Sequence, residues 1–471
     1  MYKWSVVSLF ILFYTLRPAT GFASRADTLD VSPFGKVFIY NSLGKATNVI
    51  IMISGDGGWK YGVIGFSERF SEKNAIVIGV DILKYYAALR KRVGECYNVV
   101  SDFVNLATVI EKRYRFPEYK PALLMGYSSG ATLVYGILAQ ARAGTFIGGI
   151  SLGFCSDMEL PKMLCQINGL IEKPDVSGNR FFLQPDSRLG NTWIVLQGKL
   201  DKVCNYNEVV NFVRETGNSE LVTLPKVGHG FSRWSDFMPQ WDDAYNRLII
   251  KFEKEQRSKI EEEDLTALPI IITNSRIEEN GAPLSIIISG DGGWYWFEQS
   301  IADSLSRLGI STIGLDAKKY FWVRKSPEET AGDIADAMRY FGSKLGKTRF
   351  LLIGYSLGAE VIPFILRRLP GELRSEIISS VLLSPGEFTD FEIHITNMIG
   401  LGNPGDTFKV TDEINKVSGG NILCVFGSDE QSKVPGLLNK AHIKVIFIPG
   451  DHHYNNNIPL IIRAMREEKI I

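Results

Sequence analysis

The sequence lacks an excess of charge of either sign. Lysine and arginine together number 52, aspartate and glutamate also number 52, and the formal net charge is zero. A nucleic-acid-binding protein normally carries a basic excess that is concentrated on one face. The remaining composition, 45% apolar and 22% charged, is that of an ordinary globular protein. These values argue against nucleic acid as a partner.

Metal-binding and cofactor-binding signatures are also missing. The sequence contains no CxxC pair and no histidine cluster with the spacing of zinc ligands. Its glycine-rich stretches lack the GK[ST] ending that a phosphate-binding P-loop requires. We therefore predict neither a metal nor any other cofactor.

Cysteine is scarce, and four of the five cysteines lie in the first half of the chain. Cys155 and Cys165 bracket a short loop that a disulfide could close, which would leave Cys96 to pair with Cys204. Four cysteines nevertheless allow three pairings, and the sequence does not choose among them. Cys424 lies inside an apolar run, where a buried free thiol is expected.

No apolar run near the N-terminus is long enough for a membrane span. Residues 4–16 are almost all apolar, but a span needs about 20 residues. Lys3 precedes this run, and the small residues Gly21 and Ala23 follow it. This order is typical of a secretory signal, which we place at residues 1–26. In a bacterium such a signal predicts export to the periplasm, with a retained, uncleaved anchor as the alternative.

The chain carries an internal repeat. At 471 residues it is too long for one core, and the hexapeptide SGDGGW occurs twice, at 54–59 and 289–294. Each copy alternates short apolar strands with helical patterns, which predicts a whole-domain duplication of a mostly parallel sheet with helices on both faces. The predicted parts after the signal are an N-terminal domain at 27–255, a charged linker at 256–269 and a C-terminal domain at 270–471.

Both copies contain a G-x-S-x-G sequence between an apolar strand and a helical run. In the second copy the sequence is GYSLG at 354–358, and in the first it is GYSSG at 126–130. Strand, G-x-S-x-G and helix in this order are typical of the nucleophile elbow of α/β-hydrolases. Glycines flank the serine because the strained turn leaves no room for neighbouring side chains. The fold class predicted is therefore α/β, with two tandem α/β-hydrolase-like domains.

A serine nucleophile needs a histidine base and an acid that orients the histidine. In folds with this elbow the chain order is serine, then aspartate or glutamate, then histidine. Both halves keep this order with the same spacing from serine to acid, and the candidates are Ser356, Asp429 and His452 in the second copy and Ser128, Asp201 and His229 in the first. We prefer His452 because it aligns with His229, but His453 remains an alternative base.

The tetrahedral intermediate of acyl transfer carries an oxyanion, which requires N–H donors fixed in advance. One donor is expected from the residue after the nucleophile, Leu357 in the second copy. The second donor is expected from the glycine-rich loop after an early strand, at Gly290, Asp291 or Gly292. The alternatives for this loop are a tight turn or a phosphate cradle.

In combination, several motifs resemble the VirJ/AcvB family of bacterial virulence proteins. They are SGDGGW, the GLD that precedes KKYFW, GYSLGAEVIPF and GDHHY. The resemblance covers almost the whole mature chain and is better to the two-domain, AcvB-like form. It implies exported α/β-hydrolases, of which AcvB-like members remove lysine from lysyl-phosphatidylglycerol and VirJ is linked to type IV secretion. A periplasmic aminoacyl-lipid esterase with Ser356, Asp429 and His452 as its triad is thus implied.

A lysyl ester carries two ammonium groups at neutral pH, so an acidic pocket is expected. The candidates from their places near strand ends are Asp291, Asp316 and Glu360, although each is equally suited to holding a loop by hydrogen bonds. The expected partners are an aminoacylated phospholipid at the membrane surface and components or substrates of type IV secretion. The alternatives are a non-catalytic periplasmic adaptor for secretion, and an esterase or peptidase with another exported substrate.

Overall fold

We describe the fold from a computed structural model. The described residues are 26–42, 44–60, 62–176, 180–263, 268–277, 281–394, 407–417, 421–439, 441 and 443–471, with the backbone alone for 256–263. The predicted signal peptide at 1–26 therefore lies outside the described residues, except for Ala26.

Within these residues, the first half of the chain forms an eight-stranded sheet in the order β1-β2-β4-β3-β5-β6-β10-β11. The strands from β4 to β11 run parallel, and β1 and β2 pair antiparallel at one edge. A small antiparallel sheet is formed by β7, β8 and β9. The bounds are β1 Asp27–Val31, β2 Gly35–Tyr40, β3 Asn48–Ile53, β4 Ala75–Val80, β5 Leu123–Tyr127, β6 Gly148–Leu152, β7 Asp157–Met158, β8 Glu172–Pro174, β9 Phe181–Leu183, β10 Trp193–Gly198 and β11 Ser219–Leu224.

Helices cover both faces of this sheet. Along β3, Val49 and Ile51 contribute to one buried core, whereas Ile50 and Met52 contribute to the core on the opposite face. A strand buried on both faces reads as a continuous apolar run, which explains the sequence of β3. The helices are α1 Gly62–Ser71, α2 Ile82–Leu89, α3 Val100–Arg113, α4 Ser129–Gln140, α5 Tyr206–Glu215 and α6 Met238–Glu263.

The second half repeats this arrangement with a seven-stranded sheet in the order β12-β14-β13-β15-β16-β19-β20, counted over the described residues. Only β12 is antiparallel to its neighbour in this sheet. The strands are β12 Ile270–Thr273, β13 Leu284–Ile288, β14 Thr312–Leu315, β15 Phe350–Tyr355, β16 Ile377–Leu383, β19 Ile422–Gly427 and β20 Ile443–Ile448, and a short hairpin joins β17 Phe388–Thr389 to β18 Phe408–Lys409. The helices are α7 Trp296–Ser306, α8 Ala317–Tyr320, α9 Pro327–Leu345, α10 Leu357–Arg368, α11 Gly371–Ser375, α12 Val410–Lys416, α13 Val434–Leu437 and α14 Ile458–Glu467.

The two sheets share one strand order when β1 is set aside, which is the pattern expected of a duplicated domain. Apolar residues again fill cores on both faces of the second sheet. The predicted fold class, two tandem α/β-hydrolase-like domains, is confirmed. Helix α6 continues to Glu263 and so occupies much of the predicted linker at 256–269.

Trp322 of the second domain is inserted into the first domain. Its side chain is buried and belongs to the first domain's larger core. The indole Nε1 donates to the carbonyl oxygen of Phe116 at 2.9 Å. The ammonium of Lys112 lies 4.7 Å from the indole ring centroid and donates to the carbonyl oxygen of Trp322. The domains are therefore joined by a desolvated contact in addition to the chain connection.

The disulfides are Cys96–Cys165 and Cys155–Cys204, so the suggested pairing of Cys155 with Cys165 is wrong. Cys155 follows β6 and Cys204 follows β10, and these are neighbouring parallel strands whose carboxyl ends meet. The distance between two cysteines along the sequence does not predict this pairing, because the pairing depends on which strands are neighbours in the sheet. Cys424 is a buried free thiol, as predicted.

Two disulfides are typical of a protein that folds in an oxidising compartment. In the part of the chain that the structure describes, no helix combines the length and the apolar character needed to cross a bilayer.

We expect Trp322→Ala to lower the free energy of unfolding by about 3–5 kcal/mol, because it opens a cavity in the first domain's core. Chemical denaturation of the full chain measures this change. The adjacent Val323 is 61% exposed, so Val323→Ala is the matched control and should stay within about 0.5 kcal/mol of the parent. Equal effects of the two substitutions would contradict the docking role of Trp322.

Candidate active site

Ser356 lies on a strained turn between β15 and α10. Its φ is 50° and its ψ is −115°, which is a conformation that costs a non-glycine residue about 1–3 kcal/mol. A Cβ added to Gly354 would lie 2.4 Å from the carbonyl oxygen of Gly358, and one added to Gly358 would lie 2.0 Å from the carbonyl oxygen of Ile288. Both glycines are therefore required by close backbone contacts that hold the serine in this conformation.

Ser128 has the same backbone geometry, with φ 55° and ψ −122°. A Cβ on Gly126 would lie 2.2 Å from the carbonyl oxygen of Gly130, and one on Gly130 would lie 2.4 Å from that of Ile53. The strand–turn–helix context predicted from the sequence is thus present at both serines.

In the first domain the serine, histidine and aspartate form a continuous hydrogen-bonded set. His229 Nε2 lies 2.9 Å from Ser128 Oγ, and His229 Nδ1 lies 2.9 Å from Asp201 Oδ2. The other carboxylate oxygen of Asp201 accepts hydrogen bonds from the backbone N–H groups of Val203 and Cys204, at 2.9 Å each. The carboxylate is fully enclosed, so its position is fixed by these donors.

In the second domain the carboxylate partner of His452 is Glu430. His452 Nδ1 lies 2.7 Å from Glu430 Oε1, and Glu430 Oε2 accepts a hydrogen bond from Ser384 Oγ at 2.7 Å. Asp429 is exposed and accepts from Ser428 Oγ at 3.1 Å. The prediction of Asp429 as the acid is therefore wrong by one position.

The equal serine-to-acid spacing in the two halves favoured Asp429 and concealed this difference. The loop after β19 turns the side chain of Asp429 outward and that of Glu430 inward, where the longer glutamate reaches the imidazole. The adjacent Asp429–Glu430 pair in the sequence was the signal that two carboxylates were available at this turn.

His452 and His453 occupy different environments. The ring of His453 packs near Phe297 and Tyr355, and its backbone N–H donates to Asp451. Ser356 and both histidines line one cleft. No hydrogen bond joins His452 to Ser356 here, so the second site is less fully assembled than the first. His452 is the histidine with a carboxylate partner.

The surroundings of His452 raise its pKa above the ordinary value. Burial of the ring lowers the pKa, but the hydrogen bond and charge of Glu430, helped by Asp291 and Glu360, outweigh this effect. The pKa of His453 is lowered by burial and by the nearby His452. An imidazolium at position 452 is therefore stabilised, as a general base requires after it takes a proton.

The loop after β13 reaches the second serine. A Cβ on Gly290 would lie 3.4 Å from Ser356 Cβ. The N–H of Gly290 donates to Glu298 Oε1 at 3.3 Å, so the prediction of Gly290 as an oxyanion donor is wrong, because that N–H is already occupied. The N–H of Gly293 donates to the carbonyl oxygen of Gly290, which closes a tight turn.

Three of the four predicted oxyanion donors remain suitable. Leu357 is the first residue of α10, so its N–H has no acceptor within the helix. Among the described residues, no hydrogen bond acceptor engages the N–H of Asp291 or of Gly292. Of these three residues, Leu357 directly follows the elbow serine, which is where acyl transfer by that serine would need a donor.

Asp291 and Glu360 lie together with Ser356 around a cavity of about 230 Å³. Burial and the charge of Asp291 raise the pKa of Glu360 to about 8, and its Oε1 accepts from the N–H of Gly386 at 3.2 Å. Further polar side chains on the wall of this cavity are those of Asp390, Glu392 and His394. Two of the three predicted substrate-binding carboxylates are thus brought beside the serine.

Asp316 has a structural position instead. Its carboxylate accepts from the N–H of Lys319 and caps the start of α8, which is the alternative role stated for it above. The carboxylate also lies against Gly293, where an added Cβ would be 3.0 Å from Asp316 Oδ1. Asp316 therefore supports the loop that carries Asp291.

Ligand atoms of Asp201, Cys204 and His229 lie within 4.8 Å of one another. This set does not suit a metal, because the sulfur of Cys204 is bonded to Cys155 and both ring nitrogens of His229 are hydrogen-bonded. The residues fit a catalytic triad better.

The profile of the family described as "Bacterial virulence protein (VirJ)" matches residues 47–143 and 283–469, which is more than half of the chain. The chain belongs to the VirJ family. The matched segments include both glycine-rich loops and both elbow serines. Among curated proteins, none is significantly similar to this VirJ-family chain.

Several solved structures are similar to it. Est1E from Butyrivibrio proteoclasticus with ferulic acid bound is 18% identical, with a TM-score of 0.32, and the match covers 43% of this chain and 94% of that one. A putative dienelactone hydrolase from Klebsiella pneumoniae is 13% identical, with a TM-score of 0.35 and coverage of 48% and 98%. Esterase 2 from Thermogutta terrifontis is 15% identical, with a TM-score of 0.28 and coverage of 50% and 95%. Similarity at this level does not extend to activity or substrate.

Replacing Glu430 with glutamine should slow the labelling of Ser356 by a fluorophosphonate about 10²–10⁴-fold, because the imidazolium loses its carboxylate partner. A histidine base acts only when it is neutral. Because the pKa of His452 is raised, the labelling rate should fall at a higher pH than it would with an ordinary histidine. Without the carboxylate this pKa falls, and this acid limb of the rate profile moves to lower pH. The rate is measured against pH in a Ser128→Ala background.

Asp429→Asn is the matched control for this experiment, because Asp429 is exposed and does not contact His452. It should leave both the rate and the profile unchanged. If Asp429→Asn moved the acid limb and Glu430→Gln did not, the assignment of Glu430 would be wrong.

Removing the Cys155–Cys204 disulfide, as the Cys155→Ser, Cys204→Ser double variant, should slow labelling of Ser128 on the order of 10- to 100-fold. The disulfide holds the turn whose N–H groups fix the Asp201 carboxylate. Labelling is measured in a Ser356→Ala background. The Cys96→Ser, Cys165→Ser variant is the control, and an equal slowing in both would show general destabilisation instead.

Proposed function

We propose that this VirJ-family protein is a serine hydrolase with Ser356 as its nucleophile. It cleaves the aminoacyl ester of lysyl-phosphatidylglycerol and releases lysine and phosphatidylglycerol. One observation carries the proposal. A single cavity brings the strained serine beside Asp291 and Glu360, two carboxyl groups suited to the ammonium groups of a lysyl ester.

The reaction follows from the positions of these groups. Ser356 Oγ attacks the ester carbonyl carbon while His452 accepts the hydroxyl proton, and the N–H of Leu357 stabilises the oxyanion. The carbon–oxygen bond to glycerol then breaks, and the imidazolium of His452 gives its proton to the departing oxygen. Water attacks the resulting lysyl-serine ester with His452 as base, which frees lysine and restores Ser356.

The acidic cavity is electrostatically suited to a cation. Burial and repulsion by Asp291 raise the pKa of Glu360 to about 8, so its ionised form is unfavourable when the cavity is empty. A lysyl ammonium would reverse this balance by pairing with the carboxylates. Glu392 and Asp390 already lie near Lys112 and His394 respectively, which leaves Asp291 and Glu360 as the substrate partners.

The two domains differ at Asp291 in a way that fits this role. In the first domain the hydroxyl of Ser129 donates to Asp56, the counterpart of Asp291. The residue at the corresponding position of the second domain is Leu357, whose side chain has no donor. The carboxylate of Asp291 therefore remains on the cavity wall, available to a ligand.

The assembled triad of Ser128, His229 and Asp201 supports a second nucleophile in the first domain. We place the protein in the periplasm, in accordance with its predicted signal and its disulfides. The family description as virulence proteins is compatible with a role in remodelling the aminoacylated lipids of the membrane or in type IV secretion.

Purified full-length protein should release lysine from lysyl-phosphatidylglycerol, and Ser356→Ala should reduce the rate by at least about 10³-fold, because the nucleophile is lost. Free lysine is measured by mass spectrometry. Ser128→Ala is the matched control and should retain the activity of the second domain.

The other outcomes identify the alternatives. Absence of fluorophosphonate labelling at both serines in the folded protein would contradict catalysis and favour an adaptor for secretion. Labelling of Ser356 without lysine release would overturn the substrate and favour another exported ester or peptide.

A further inference from the structure

Ser356 also opens onto a second and larger cavity, which lies between the two domains. This interdomain cleft has a volume of about 650 Å³, and the second domain contributes Ser356, Asp291 and His452 to it. The first domain contributes the rest of the lining, which includes two arginines, Arg92 and Arg142. The elbow serine of one domain therefore shares a cleft with residues of the other.

The two arginines of this lining differ in their partners. Arg92 is paired with Asp102, whose carboxylate oxygens lie 2.8 and 2.9 Å from Nη2. Among the described residues, no hydrogen bond or close ion pair engages the guanidinium of Arg142. A guanidinium offers five N–H donors in a planar fork, which matches a phosphate or a carboxylate.

Arg142 is half-buried and lies two residues after the end of α4, so its unused donors are partly removed from water. Burial lowers its pKa, and the charges of Asp303 and Glu298 in the second domain oppose this effect. A charged group in this situation is stabilised by an anion that supplies acceptors. The cleft is the open space from which such an anion can approach.

We propose that Arg142 binds the phosphate of the substrate's alcohol part, so that the first domain supplies an anion subsite to the nucleophile of the second. The inference rests on the proposed function, in which the esterified glycerol carries a phosphodiester. Ser356 and Asp291 line both cavities, whereas Glu360 lines only the acidic cavity and Arg142 lines only the interdomain cleft. A substrate with a cationic acyl group and an anionic alcohol spans the two, and its ester bond lies at the serine.

The test compares two lysyl esters of glycerol, of which one carries the phosphodiester with its short-chain diacylglycerol and the other carries neither. These are lysyl-phosphatidylglycerol with short acyl chains, used as a monomer in solution, and 1-lysylglycerol. In Arg142→Gln the ratio of kcat/KM for the phosphate-bearing ester to that for the phosphate-free ester should fall at least about tenfold, mainly through KM. Arg142→Lys should retain part of the ratio, because it keeps the charge but loses the fork.

The control is Arg214→Gln, which changes an exposed arginine on α5 that contacts Asn211. It should leave the ratio unchanged. An equal fall in kcat/KM for both esters in Arg142→Gln would show that this residue supports the fold of the cleft, and would overturn the anion subsite. A fall seen only with substrate in anionic vesicles, and not with the soluble monomer, would assign Arg142 to the membrane surface and also overturn it.

A separate binding measurement distinguishes this inference from the proposed function. If the parent protein releases lysine from neither ester, the proposed function fails and the subsite is tested by calorimetry with glycerophosphoglycerol on Ser356→Ala. Binding that is lost in the Ser356→Ala, Arg142→Gln double variant would support the subsite. Absence of binding to Ser356→Ala would overturn it.

Discussion

The site depends on one close contact between a helix and a strand. In each domain the helix after the elbow serine packs so tightly that its first glycine almost touches a carbonyl of the central strand, at Ile53 in one case and Ile288 in the other. This contact holds Ser128 and Ser356 in a left-handed conformation that their side chains disfavour. Packing against the sheet therefore maintains the strained backbone of each serine. The serine hydroxyl lies at the carboxyl edge of the sheet, where the loops that carry the histidine and its carboxylate partner also end.

On this common scaffold the two copies have acquired different polar surroundings. The first domain fixes its acid with backbone donors from a turn held by a disulfide, and its serine and histidine are in hydrogen-bonding contact. The second domain uses a longer acid, Glu430, held through Ser384, and leaves Asp291 facing a cavity. The serine, histidine and aspartate of the first domain are all hydrogen-bonded to one another in sequence, whereas the second domain leaves the carboxylate of Asp291 available to a ligand.

The sequence was sufficient for those features that follow from local pattern and order. The repeat, the parallel sheets and both elbows could be predicted because apolar runs, glycines and chain order determine them directly. The choice of Glu430 over Asp429 could not be predicted, because it depends on which side chain the loop turns toward His452. The cysteine pairing could not be predicted either, because it depends on which strands are neighbours in the sheet. Arg142 belongs to no motif, and only the packing of one domain against the other places it in the cleft that Ser356 also lines.

The indole of Trp322, buried in the neighbouring domain, has a consequence for how a ligand reaches the second serine. Because this anchor fixes the two halves side by side, part of the lining of the cleft at Ser356 comes from the first domain. Moving the halves apart would expose the indole to water, which opposes their separation. Fusion of two similar units in one chain has thus produced a binding compartment that neither unit forms by itself.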